Sequence, residues 1–236
     1  MKKSHIATLI VFFVLIPLTL IVGSRLSGRA FYVTSTLVIV ELLIPFFLTF
    51  EGRRPQAREL VVLAVMCALA VAGRVAIPIP SFKAIFGIIM IAGIAFGPES
   101  GFLVGAISAL ASNFFYSQGP YTPWQMMAYG AGGMLAGFVF AEGRLPRKPV
   151  VMGIFGFLAV TFFVGPLLDT CSVFLVMSRI SLKGAMAFYI SGFPVNLRQA
   201  GTTAIVLLVL GKPLLEKLDR IKTKYGILDD EGRKEA

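Results

Sequence analysis

The chain has 236 residues, of which 57% are hydrophobic and only 14% are charged, yet its net charge is +10. The charged fraction is far below the roughly 25% usual in soluble domains. A soluble nucleic-acid-binding protein is excluded, because its basic residues need a polar surface that this composition lacks. Disorder is excluded by the high apolar content. The composition therefore predicts an all-α integral membrane protein with basic residues concentrated on one side of the bilayer.

Few residues are available for chemistry. His5 is the only histidine, and Cys67 and Cys171 are the only cysteines. This scarcity argues against a disulfide scaffold, a four-ligand zinc site and a histidine-dependent triad. A bilayer span needs about 20 mostly apolar residues, so spans fill the chain and leave no room for a soluble catalytic domain. We predict no metal site, no resident cofactor and no enzymatic activity.

Eight apolar runs follow one another along the chain. The first, 6–23, follows two lysines, and its length and poor cleavage context favour a retained helix over a signal peptide. The remaining runs are 31–50, 59–77, 82–96, 99–115, 124–141, 150–177 and 194–210. The chain thus divides into an N-terminal helix pair with a basic loop (1–58), a membrane core (59–225) and a charged tail (226–236).

An even number of spans places both termini on the same side of the membrane. With cytoplasmic termini, 15 of the 22 Lys and Arg residues fall in inner segments and five fall in outer segments. Because inner loops carry the basic excess in membrane proteins, we predict a multi-pass protein with both termini in the cytoplasm.

Polar side chains on several predicted helices lie at a similar depth near the outer face. They are Arg74, Asn113, Trp124, Gln125, Asp169, Asn196, Arg198 and Gln199. Each one alone is explained by interfacial snorkelling, but intramembrane polar groups tend to mark function, and the whole set favours a cavity open to the outside. Asp169 and Arg198 both stop short of the headgroups and could pair, either as a structural pair or as ligand-binding groups. Glu41 is the exception, near the middle of the second run.

The segment 114–123, F-F-Y-S-Q-G-P-Y-T-P, combines aromatic residues with turn-forming Gly and Pro. Proline restricts the backbone and aromatic rings offer flat contact area, as a loop covering a ligand pocket requires. Phe114 and Phe115 by themselves are explained equally well as anchors at the membrane interface.

Small residues repeat at helical spacing. Ala64, Ala68, Ala72 and Ala76 lie on one face of the third helix, and such faces allow close helix packing in lipid. This alanine ladder either packs inside the bundle or faces another membrane protein. The glycine-rich faces of the fifth and sixth helices are expected to pack internally.

Four sequence blocks carry a family resemblance together with the alanine ladder. They are G-P-E-S-G-F-L-V-G-A-I-S-A-L-A-S-N-F-F from Gly97, G-P-Y-T-P-W-Q-M from Gly119, G-F-P-V-N-L-R from Gly192 and G-K-P-L-L-E-K-L-D-R-I-K from Gly211. In this order, over about 59–225, the chain resembles the substrate-binding S components of energy-coupling factor (ECF) vitamin transporters. The N-terminal helix pair departs from the family's six-helix core.

The resemblance implies a six-helix core, preceded here by two extra transmembrane helices, in the bacterial cytoplasmic membrane. Such a protein binds a micronutrient from outside and docks on a transmembrane coupling subunit that works with two cytoplasmic ATPases. Docking would use Ala64, Ala68 and Ala72. The chain has no G-x-x-x-x-G-K-[ST] motif, so ATP hydrolysis must come from its partners.

Within the family, the block after Gly119 resembles the cobalamin-type branch, which implies a corrinoid ligand. The amides of Asn113, Gln125, Asn196 and Gln199, the rings of Tyr121, Trp124 and Tyr189, and the charged Arg74, Asp169 and Arg198 are the predicted substrate-binding residues.

Two other classes stay open at this stage. A self-sufficient secondary transporter would use broken helices at the bilayer midplane, for which Glu41 and the Gly165–Pro166 break are the only hints. A small membrane-embedded lipid-modifying enzyme would need clustered acidic or histidine residues, which the predicted cytoplasmic loops do not offer.

Overall fold

The computed structural model describes residues 57–76, 82–177, 179 and 181–226, together with 10–15, 18–19, 22, 33, 37 and 40–41. Within 57–226 the chain forms six helices: α1 Ala57–Val75, α2 Ile85–Phe96, α3 Pro98–Tyr116, α4 Thr122–Phe140, α5 Pro149–Val176 and α6 Leu182–Tyr225. Helical turns of π type occur at Val11–Leu15, at Val160–Val164 within α5 and at Leu207–Gly211 within α6.

The helical architecture of the described residues confirms the predicted all-α class. The predicted number of eight spans is not confirmed. By length and composition, α5 and α6 are the two described helices able to cross a bilayer. Helices α1, α3 and α4 have 19 residues each, which is about 28 Å of helix. The two N-terminal spans predicted at 6–23 and 31–50 lie mostly outside the described residues.

Helix α2 is the centre of the bundle. Each of its 12 residues is buried, and it packs against α1, α3, α4 and α6. A helix that is apolar on every side belongs inside a protein, which is why this run of Ile, Phe, Met, Ala and Gly takes the central position. At about 18 Å, α2 is much shorter than the roughly 30 Å hydrocarbon core of a bilayer.

Glycines allow α2, α3 and α4 to touch backbone to backbone. A Cβ atom added at Gly93, Gly101 or Gly133 would come closer than 3.0 Å to a backbone atom of a neighbouring helix. The turn between α2 and α3 is a single residue, Gly97, whose φ of 94° favours glycine, and Pro98 then starts α3. The glycine-rich faces therefore pack internally, as the sequence predicts.

The last helix begins earlier than the sequence predicts. Residues from Leu182 onwards are helical, the hydroxyl of Ser181 accepts a hydrogen bond from the Gly184 N–H at 3.2 Å, and Pro194 lies inside the helix instead of starting it. The prediction gave too much weight to proline as a first-turn residue. Neighbouring helices in a bundle help to satisfy the backbone groups that an internal proline leaves free.

Two cations hold the C-terminal end of α2. Lys222 donates from Nζ to the carbonyl oxygen of Ala95 at 2.7 Å, and Arg147 donates from Nη2 to that of Ile94 at 3.2 Å. Arg147 also lies 3.4 Å from the Asp219 carboxylate. Positive groups complement the carbonyls at a helix C-terminus. This end of the bundle, opposite the cavity described below, is thereby tied to α6.

Candidate functional site

A cavity of about 490 Å³ opens where the C-terminal ends of α1, α3 and α5 meet the N-terminal ends of α2 and α4. Its polar lining residues are Arg74, Lys83, Tyr116, Tyr121, Gln125, Tyr129, Ser172 and Gln199. Its apolar lining residues are Ile85, Phe86, Leu168, Cys171, Leu175 and Val176. The volume lies within the range of roughly 300–1,000 Å³ that is common for small-molecule sites.

Arg74 is held in the cavity wall by uncharged partners. Its Nη1 donates to the Ser112 hydroxyl and, at 2.9 Å, to Oδ1 of Asn113. Asn113 is fully buried, and its amide nitrogen donates to Gln125 Oε1 at 2.8 Å and to the Thr122 hydroxyl at 3.1 Å. This network fixes the Arg74 guanidinium and the Gln125 amide relative to each other at the cavity surface.

One tyrosine lies beside two cations at this wall. The Arg74 guanidinium carbon lies 4.9 Å from the ring centre of Tyr116, and Lys83 Nζ lies 5.5 Å from it. The Tyr116 hydroxyl accepts from Lys83 at 3.2 Å and donates to the Arg74 carbonyl at 3.0 Å. Because no Asp or Glu is among the described lining residues, the cavity wall is electropositive.

Helix α4 and the turn before it present three lining residues at intervals of four. Tyr121, Gln125 and Tyr129 fall on one helical face, and this face points into the cavity. Tyr129 contacts Phe86 edge to face, with ring centres 4.6 Å apart, and lies 5.6 Å from the Arg74 guanidinium carbon. The interval of four after Tyr121 and Gln125 is a sequence signal that could have identified Tyr129.

Trp124 points away from the cavity. Its side chain is 2% exposed and stacks on Phe174, with ring centres 5.5 Å apart. Its indole N–H has no hydrogen-bond partner among the described residues. Trp124 therefore packs behind the wall to which its neighbour Gln125 contributes.

Asp169 and Asn196 join α5 to α6 outside the cavity. Asn196 donates from Nδ2 to the Asp169 carboxylate at 2.7 Å. Two glycines make this contact possible, since a Cβ at Gly192 would collide with Asp169 and a Cβ at Gly165 would collide with Asn196. The described side chains of Asp169 and Arg198 form no ion pair, since Asp169 accepts from Asn196 and Arg198 donates to the backbone oxygen of Pro194.

The other two predicted residues of α6 are also apart from the cavity. Arg198 is exposed and donates from Nε to the backbone oxygen of Pro194 at 3.3 Å. The Tyr189 hydroxyl lies 2.7 Å from that of Thr170 on α5. Gln199, by contrast, lines the cavity, and its Oε1 is buried without a partner among the described residues. That oxygen is available to accept a hydrogen bond from a ligand.

The structure thus brings together four of the ten predicted residues at the cavity, namely Arg74, Tyr121, Gln125 and Gln199, with Asn113 directly behind them. Lys83, Tyr116, Ser172 and the apolar lining were not predicted. Tyr116 is part of the aromatic segment 114–123, so a signal for it was present. Ser172 and Leu175 lie within the long run 150–177, whose apolar residues give no signal in the sequence for the face that each one occupies.

The alanine ladder lies on the opposite side of α1 from the bundle core. Ala64, Ala68 and Ala72 are exposed, whereas Leu63, Met66, Cys67 and Ala70 are buried. Exposed Val61, Val65 and Leu69 flank the ladder. The ladder is therefore available to a neighbour in the membrane.

Metal binding has no support in the described part of the chain, where no group of three or more His, Cys, Asp or Glu side chains lies close enough to hold an ion.

Comparison with known proteins gives one result. Neither a curated protein nor a solved structure matches the chain. A family model described as "ECF-type riboflavin transporter, S component" matches residues 55–216. The match covers more than half of the chain, begins two residues before α1 and includes the whole cavity lining. The chain belongs to the ECF-type riboflavin transporter S component family.

Proposed function

We propose that this protein captures riboflavin at the outer face of the cell membrane and delivers it through an ECF coupling subunit and two ATPases. Members of the family are membrane-embedded, substrate-specific components of ECF transporters. The observation that carries the proposal is the cavity, whose aromatic and hydrogen-bonding lining lies within the segment that matches a family named for riboflavin transport.

The chemistry of the lining suits a flavin. An isoalloxazine ring is flat and aromatic, and its pyrimidine edge carries carbonyl and N–H groups. Phe86 and Tyr129 offer ring surfaces, and Leu168 and Leu175 offer apolar contact. The Gln125 and Gln199 amides and the Arg74 guanidinium supply donors and acceptors for the polar edge and the ribityl hydroxyls.

A corrinoid, which the block after Gly119 predicted, has no support from the family match. Two residues of that block, Tyr121 and Gln125, do line the cavity, but Trp124 does not. A corrinoid is several times larger than a flavin, so a cavity of about 490 Å³ favours the smaller ligand.

The distribution of charge supports an outward-facing cavity. The opposite end of the bundle carries Arg144, Arg147 and Lys148 between α4 and α5, and Lys217, Arg220, Lys222 and Lys224 in the last turns of α6. Basic residues concentrate on the cytoplasmic side of membrane proteins. The cavity end then faces outwards, where a scarce nutrient must be bound.

The exposed alanine ladder supplies the contact with the coupling subunit in this proposal. Small residues at intervals of four let another helix approach closely in lipid, where close packing and not the hydrophobic effect drives association. The ladder and Arg74 share α1, so one helix carries both the docking face and a wall of the cavity.

The test is binding to the purified full-length chain in detergent. Riboflavin fluorescence should be quenched on binding. In a separate assay with radiolabelled riboflavin, unlabelled riboflavin should displace the bound label whereas cyanocobalamin should not. Displacement by cyanocobalamin, or binding of cyanocobalamin without any binding of riboflavin, would overturn the flavin assignment. Riboflavin accumulation in liposomes that contain only this chain and a proton or sodium gradient would instead establish a secondary transporter.

A further inference from the structure

The N-terminal segment, defined here as the described residues between 10 and 22, has one face against the core. Val11 is 3% exposed and belongs to a buried cluster with Phe102, Ala106, Trp124, Met127 and Cys171 of α3, α4 and α5. Leu15, four residues later, packs against the same cluster. This segment lies outside the family match, which begins at residue 55.

The other face of the segment points away from the core. Ile10, Val14, Leu18 and Val22 are each about half exposed. Their spacing of four places them along one side of the segment, next to the side that carries Val11 and Leu15. The segment thus has a core side and a lipid side, as expected of a helix at the perimeter of a membrane bundle.

The cluster that receives Val11 is the back of the cavity wall. Cys171 belongs to this cluster and also lines the cavity, and Leu175 lines the cavity while packing against the cluster. Trp124 stacks on Phe174 in the same layer. The same side-chain cluster therefore borders both the N-terminal segment and the ligand cavity.

A second contact ties the segment to the next apolar run. The Thr19 hydroxyl donates to the Glu41 carboxyl group. Since polar groups in a bilayer need partners within the protein, this hydrogen bond holds the two N-terminal runs together at membrane depth.

We propose that the N-terminal segment is a permanent part of this S component that supports the α3–α4–α5 wall of the cavity from the lipid side. The segment stays on this wall when α1 docks, because the alanine ladder on α1 remains exposed with the segment in place. This role goes beyond ligand capture and does not depend on which vitamin is bound.

Cross-linking in native membranes tests the placement. The full chain carries Cys67→Ala, which removes the other native cysteine, and a protease site between residues 52 and 55. Val11→Cys is then introduced, and mercuric ion is used to bridge it to the native Cys171. A second version pairs Val11→Cys with Ala106→Cys in a Cys171→Ala background. The matched control places the cysteine at Val14, on the lipid side. We expect the cleaved halves to stay joined for at least one Val11 pair and to separate for Val14→Cys.

Thermal unfolding of the otherwise unmodified chain tests the structural role. Val11→Ala should lower the melting temperature by about 2–4 °C, whereas Val14→Ala should leave it unchanged. The proposal is overturned if neither Val11 pair is bridged, if the Val14 control is bridged equally well, or if the two alanine variants unfold alike. None of these measurements uses a ligand, so failure of riboflavin binding would contradict the proposed function alone.

Discussion

At the residue scale, Arg74 is the clearest link between the sequence pattern and the cavity. A guanidinium within a membrane helix is costly, and its partners Ser112 and Asn113 are neutral. The positive charge is therefore not cancelled by its hydrogen-bond partners. It favours a ligand whose carbonyl or other electron-rich atoms point at this wall.

We expect Arg74→Gln to weaken riboflavin binding by about 10-fold or more, because a charge-assisted hydrogen bond is lost in a partly buried site. Arg198→Gln is the matched control, since Arg198 is exposed and bonds to a backbone oxygen of its own helix. Fluorescence titration of both variants measures the difference. Equal affinities would place the ligand elsewhere.

Gln125 and Trp124 are adjacent in sequence, and the structure separates their roles. Gln125→Ala should weaken riboflavin binding by about 5–10-fold, because it removes a hydrogen-bonding group from the cavity. It should lower the melting temperature less than Trp124→Ala does, because the Thr122 hydroxyl still accepts from the Asn113 amide. Trp124→Ala should mainly lower the melting temperature, because it leaves a void against Phe174. Titration and thermal unfolding of both variants check this, and the reverse pattern would contradict the cavity geometry.

The sequence predicts the depth of polar residues better than it predicts the face on which they lie. Depth follows from the helical rise, and it correctly brought Arg74, Gln125 and Gln199 to one end of the bundle. The direction in which a side chain points depends on helix rotation, which tertiary packing sets. For that reason Asn196 and Arg198 share this depth but point away from the cavity.

At the element scale, the two sides of α1 have different surroundings. Leu63, Met66 and Ala70 fix one side against the core, and this leaves the alanine ladder on the other. The spacing of the alanines could not decide between internal packing and an external partner. The rotation of α1 about its axis is set by Leu63, Met66 and Ala70, which are buried where α1 packs against α2 and α3. This rotation leaves the alanines on the exposed side.

Ala68→Leu should impair assembly with the coupling subunit while riboflavin binding by the isolated chain stays normal. The larger side chain would hold the partner helix away from the ladder. Ala187→Leu, at an exposed position of α6, is the control. Copurification with the tagged coupling subunit measures assembly, and normal recovery of the Ala68→Leu complex would exclude the ladder as the docking face.

The junction of α2, α3 and α4 depends on glycine. Gly133→Ala should lower the melting temperature by several degrees, because its Cβ would meet the Gly101 backbone and neither helix can yield without moving the other. Gly201→Ala in α6 meets no atom within 4 Å and should be neutral or slightly stabilising. Comparable unfolding temperatures for the two variants would show that the three helices are less closely packed.

At the scale of the whole molecule, the helices are arranged around α2, and the two ends of α2 differ in chemistry. Its first residues, Ile85 and Phe86, line the cavity, and its last carbonyls receive Lys222 and Arg147. The basic excess and the helical architecture were predictable because both depend on composition. The central position of α2 was not predicted, since a run that is apolar on every side fits a lipid-facing span as well as a core helix, and only the packed neighbours distinguish the two.

The difference between the cavity end and the basic end of the bundle predicts how the chain behaves in transport. The sequence has no G-x-x-x-x-G-K-[ST] motif, and the described bundle has its cavity at one end and basic residues at the other. In proteoliposomes, we expect the chain alone to bind riboflavin without accumulating it, and we expect uptake only when the coupling subunit, both ATPases and internal ATP are present. Ala68→Leu should then abolish uptake but not binding. Accumulation by the chain alone would show that the energy comes from within this polypeptide, and it would contradict the role proposed for the alanine ladder.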